Sequence, residues 1–122
     1  MMGEEMVRTR NAMAAGLLLA IVAGIARAAS PYDGKWMGTA PEAGDCGVLT
    51  VTLFVKDGSI TGGTVSGKHG SPTVHPAAIA QDGLVTLTYG PFQATARLAG
   101  AQFTGNFQTF CGTRAVTGAQ SP

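Results

Sequence analysis

The chain is cut by its own turn residues into pieces too short to be helices. From residue 34 onward, Asp57-Gly58, Asp82-Gly83, Gly90-Pro91, Ala99-Gly100 and Cys111-Gly112 interrupt short runs in which apolar and polar residues alternate. A period of two is the pattern of a strand with one face in a core and the other in water. Gly supplies the positive φ that tight hairpin turns need. No part of this region carries apolar residues at helical spacing. It reads as all-β, a meander of hairpins.

Eight runs follow from this punctuation: 35–40, 48–56, 59–66, 72–80, 84–89, 92–98, 102–110 and 114–119. The strongest is 48–56, with Leu49, Val51, Leu53 and Val55 on one face. Val85, Leu87 and Tyr89 share a face, as do Ala94, Ala96 and Leu98, and Phe103, Gly105 and Phe107. The run 72–80 is weak. Pro72 and Pro76 have no N–H to give a ladder, which places it at an edge or a bulge.

A meander of about eight short antiparallel strands can close on itself and so remove its edges, as an up-and-down barrel; a two-sheet β-sandwich is the competing architecture. The cysteines bear on this choice. With strands counted alternately up and down, the loop holding Cys46 and the turn holding Cys111 lie at the same end. In a closed barrel the first and last strands are neighbours, so a Cys46–Cys111 disulfide would staple the seam. An even cysteine pair without CxxC spacing, in a small domain, is a disulfide where the compartment is oxidising.

The compartment is indicated by the first part of the chain. Arg8 and Arg10 precede an apolar run from Ala12 to Ala26, which ends in Ala26-Arg27-Ala28. A positive segment, a short apolar segment and a small-x-small site are the parts of a secretory signal. Cutting between Ala28 and Ala29 leaves small residues at both pocket positions of the peptidase. Residues 1–28 therefore read as a signal-peptide helix and 29–122 as the mature domain, periplasmic or secreted. Glu4 and Glu5 are unusual in such a leader, and a start at Met6 would remove them. The apolar run is shorter than the ~20 residues a membrane span needs, so no stable membrane insertion is expected after cleavage.

Without the leader, Lys35, Lys56, Lys68, Arg97 and Arg114 face Asp33, Glu42, Asp45, Asp57 and Asp82, and the mature domain is formally neutral. It has no basic stripe, so nucleic acid is not an expected partner. His69 and His75, the only histidines, lack the further ligands a metal site needs and read as exposed loop residues. There is no Gly-x-Ser-x-Gly elbow, and Glu42 and Asp45 read as solvated turn residues. No catalytic, metal or cofactor residues are assigned, and the domain is expected to act by binding. Trp36, Tyr89, Phe92, Phe103 and Phe107 either fill a core or line a small apolar cavity. The size of an eight-stranded barrel allows both.

The motifs carry a resemblance. The opening Tyr32-Asp33-Gly34-Lys35-Trp36-Met37-Gly38, the Phe103-Thr104-Gly105 segment and the late Cys111-Gly112 resemble a broad set of small exported proteobacterial proteins with a D-G-x-W-x-G start. That set implies structure rather than an activity. A weaker similarity is to periplasmic β-barrel inhibitors of secreted metalloproteases, which insert an N-terminal tail into the protease cleft; the matching tail is 29–33. The G-x-W start is also similar to that of avidin- and lipocalin-like barrels. The expectations are therefore a binding or envelope role with a protein partner, a protease inhibitor, or a carrier of a small apolar ligand.

Overall fold

A computed structural model of the protein describes residues 30–121; the leader and the Ala28/Ala29 cleavage site lie outside them. The described chain is all-β. Its strands are β1 (Gly34–Ala40), β2 (Leu49–Lys56), β3 (Ser59–Ser66), β4 (Ala77–Ala78), β5 (Leu84–Tyr89), β6 (Phe92–Ala99), β7 (Gln102–Thr109) and β8 (Gly112–Gln120). They form one antiparallel sheet in the order β4-β3-β2-β1-β8-β7-β6-β5. First and last strands are hydrogen-bonded neighbours, with Gly38 opposite Gly118. The sheet is a single, nearly closed barrel rather than a sandwich.

Closure is incomplete at one place, and proline is the reason. The expected strand 72–80 shrinks to Ala77–Ala78, because Pro72 and Pro76 cannot donate to a ladder. The segment crosses the gap with isolated contacts instead. Val74 N donates to Gly63 O of β3 at 2.9 Å, and His75 N donates to Thr88 O of β5 at 2.9 Å.

Alternation puts one face of every long strand inside. Trp36, Val51, Leu53, Leu87, Leu98, Phe103, Phe107 and Val116 are buried in one cluster. The register is pinned by turns whose backbone suits the strand twist. Asp57 and Gly58 have φ of 53° and 78°, the left-handed pair of a two-residue hairpin. At the seam of the barrel a pair of glycines stands where side chains would otherwise be. Gly38 and Gly118 face each other there, and the Phe103 ring lies over them.

The two ends of the barrel differ. At the end where β1 starts, the chain before it forms a plug. Trp36 Nε1 donates to Tyr32 O at 2.8 Å, Gln120 Nε2 to Asp33 O at 2.6 Å, and Gly58 N to Asp33 Oδ1 at 3.1 Å. Tyr32 packs against the core. These bonds account for the D-G-x-W-x-G opening: it closes one end and seats the tryptophan. Among the described residues no helix is long and apolar enough to cross a membrane.

Candidate functional site

The other end is open. Four connections converge on it: the loop after β1, the loop 67–71, the turn Gly90-Pro91 and the turn Phe110-Cys111. The up-and-down count places them together, and between them lies a cleft of about 430 Å³. Leu49, Val65 and Pro72 form its apolar side, Phe92 and Phe110 its aromatic side, and Tyr89 reaches it from below.

The aromatic side is continuous with the core. His69 and Phe110 meet edge to face at 5.7 Å and Phe110 and Phe92 at 4.8 Å; Phe92 and Tyr89 at 6.2 Å, and Tyr89 and Phe107 at 5.8 Å, are tilted pairs. At the inner end Phe107 is wholly buried; at the rim Phe110 is 71% exposed. A large aromatic left in water on one wall of a concave site is a surface that gains by being covered.

The mouth is fixed by covalent and polar ties. Cys46 and Cys111 form a disulfide with Cα atoms 6.4 Å apart. It joins the loop after β1 to the turn before β8, the two strands of the seam. A disulfide of this kind persists in an oxidising compartment. Lys68 Nζ donates to Asp45 O at 2.8 Å, and Ala43 and Cys46 exchange backbone hydrogen bonds of 2.8 and 2.9 Å. Arg114, on the inward face of β8, donates from Nη2 to Pro41 O and to Gly47 O.

His69 belongs to the mouth; His75 does not line it. The sulfurs of Cys46 and Cys111 and a ring nitrogen of His69 lie within 4.8 Å of one another. Both sulfurs are spent on the disulfide, so no thiolate is there to ligate a cation. Glu42 and Asp45 are exposed on the loop after β1 and do not line the cleft.

Trp36, Tyr89, Phe103 and Phe107 are all at most 1% exposed. They fill the barrel, and of the four only Tyr89 also borders the cleft. They belong to the packed core, and the apolar cleft lies at the mouth. Of the segment 29–33, Tyr32 and Asp33 are tied to the plugged end by the bonds given above.

Tyr89 is the one core aromatic with a polar end. Its hydroxyl donates to Gln108 O at 2.9 Å, with Gln93 O at 3.2 Å as a second acceptor for the same proton. Burial pushes the phenol up to about 12. Its unfolded value is near 10, so the folded chain holds the proton longer. The stability this confers is complete below pH ~10 and is lost as pH rises towards 12. Tyr89→Phe is expected to remove this part of the alkaline loss. In urea unfolding between pH 8 and 11.5, the gap between wild type and variant should narrow with rising pH; a constant gap would contradict the burial argument.

Phe110 and Arg114 are the two site residues that sequence reasoning passed over. Phe110 was expected inside the strand 102–110. Thr109 pairs with Gly112 instead, which puts Phe110 and Cys111 at the tip of a two-residue turn. Its parity was the signal, since Phe103 and Phe107 point inward and Phe110 is out of phase with them. Arg114 shares the inward phase of Val116. Compared with known proteins, the chain matches no family model, no curated sequence and no solved structure, so the geometry of the mouth is what speaks to function.

Proposed function

We propose that the protein is an exported, non-enzymatic binding domain of the periplasm or the extracellular space, and that its mouth cleft takes the apolar body of a small ligand. The observation that carries this reading is the cleft itself: about 430 Å³, walled by Phe92 and Phe110, at the one open end of a filled barrel. That volume is within the range of small-molecule sites. The secretory leader read from residues 1–28 and the disulfide support the location. The disulfide and the polar ties of the loops hold the aromatic wall of the mouth in place, which suits capture of a compact ligand.

The test uses N-phenyl-1-naphthylamine, a neutral apolar fluorophore, on protein recovered from the periplasm of an expressing cell. The recovered mass should match residues 29–122 less two hydrogens. The dye should bind saturably with one site per chain. Phe110→Ala should weaken it by about tenfold, the effect of losing one aromatic wall. Phe54→Ala, which removes an exposed aromatic from the outer wall of β2, should leave it unchanged. Equal effects of the two variants, or no saturable binding, would overturn the cleft as the binding site. A mass that retains the leader would overturn export by cleavage.

A further inference from the structure

We infer that the ligand of this cleft carries an anionic group, of carboxylate or sulfonate type, and that Arg114 receives it. The inference rests on the mouth cleft being the binding site and adds the charge of what it binds.

Arg114 is the one buried charged side chain among the described residues, at 7% exposure. Its position is imposed by register: β8 enters the barrel wall with Arg114 opposite Phe107, on the inward face. Arg114 lines the cleft together with Phe92 and Phe110, and its guanidinium reaches the loop after β1. It makes two hydrogen bonds, both from Nη2, to the carbonyls of Pro41 and Gly47. These fasten the loop after β1, but a carbonyl dipole does not neutralise a full charge. The donors on Nε and Nη1 have no hydrogen-bond partner among the described residues. Nor has the group a carboxylate: the ion pair found among the described residues is Arg97–Asp82, on the outer surface.

An arginine taken out of water without a counter-charge is unfavourable, and buried arginines are normally paired. Here the missing counter-charge is not supplied by the cleft either. Its basic lining is Lys68, His69 and Arg114, with no Asp or Glu. The remaining walls are mostly apolar. A planar fork with free N–H groups in the lining of a mostly apolar cleft matches a carboxylate or sulfonate borne on an aromatic or aliphatic body.

A matched pair of dyes tests this. 1-Anilinonaphthalene-8-sulfonate is N-phenyl-1-naphthylamine with a sulfonate added, so the ratio of their affinities isolates the anion. The wild type is expected to prefer the sulfonate by about tenfold or more, as a charge-assisted hydrogen bond implies. Arg114→Gln should bring the ratio of the two affinities to about one, whatever the loss of the two loop bonds does to the neutral dye. Lys68→Gln, at the rim, should reduce the preference less than Arg114→Gln does. Should Arg114→Gln not fold, Arg114→Lys takes its place. It keeps the charge and a donor for the loop carbonyls but loses the fork, and it should lower the preference without abolishing it. Equal affinity of the wild type for both dyes would overturn the anion while leaving the cleft reading standing. A preference unchanged by either Arg114 variant, or removed by Lys68→Gln alone, would overturn the role of Arg114. Failure of both dyes to bind saturably would sink the cleft itself.

Discussion

Gly118→Ala is expected to destabilise the barrel by about 3 kcal/mol or more, while Gly62→Ala, the same change on another strand, leaves it within about 0.5 kcal/mol of wild type or slightly raises it. The difference is in what a single methyl group meets. At Gly118 an added Cβ would lie 2.2 Å from Met37 O, 2.5 Å from Gly38 Cα and 2.6 Å from the Phe103 ring. Two of the three obstacles are backbone, so no rotamer change relieves them. At Gly62 nothing lies within 4 Å. The seam between β1 and β8 is thus built on glycine because the facing backbone and the Phe103 ring together occupy the space side chains would need. Trp36 packs beside that ring, edge to face at 6.2 Å, so the same crowding seats the tryptophan. Urea unfolding followed by the single tryptophan measures both variants. Phe103→Leu added to Gly118→Ala should not restore stability, since the Met37 carbonyl remains in the way. A rescue would show that the ring, not the backbone, sets the spacing.

The strands were legible because each carries its own evidence. Leu49, Val51, Leu53 and Val55 alternate with polar or exposed residues, and the observed β2 has that burial pattern over its whole length. Asp57-Gly58 and Asp82-Gly83 state where hairpins turn. The pairing of the first strand with the last followed from counting strands up and down and from where the cysteines fell. The weak segment 72–80 was also readable, because two prolines disqualify it as a full strand; its reduction to Ala77–Ala78 is the extreme of that rule.

The site was less legible because no local pattern encodes it. Its walls come from four connections that are distant in sequence, and their convergence is a property of the closed sheet. Phe110 was placed inside the strand 102–110, whereas β7 ends one residue earlier at Thr109, which makes Phe110 part of a turn instead of an outward strand position. Arg114 is a lone basic residue at a strand start, which in isolation reads as solvated. Only the register against Phe107 turns it inward. The five strand aromatics were expected either to fill the core or to line a cavity. Composition could not separate these, because the deciding quantity is how tightly Trp36, Phe103 and Phe107 nest against Gly38, Gly105 and Gly118.

Removing the disulfide should produce the other large loss. Cys46→Ala with Cys111→Ala, or reduction of the wild type, is expected to lower stability by up to about 4 kcal/mol, the loop-entropy value for a cross-link of this span. The cysteines are 65 residues apart in the chain. The manner of the loss follows from where they sit. β1 and β8 are the most distant partners in the sheet, and their pairing closes the longest loop. The covalent link holds those strand ends together in the unfolded chain, so it removes an entropy cost that seam closure would otherwise carry. Refolding should therefore slow more than unfolding accelerates when the link is broken, provided the seam forms before the barrier is crossed. Stopped-flow urea jumps on oxidised and reduced protein separate the two limbs. The mouth should respond as well, since Cys46 and Cys111 both line the cleft. The neutral dye should bind the reduced protein more weakly even in conditions where the barrel stays folded. If reduction acted only on the unfolding limb and left dye affinity unchanged, the disulfide would be a late tie on an already formed seam, and the mouth would owe its shape to Arg114 and its loop carbonyls instead.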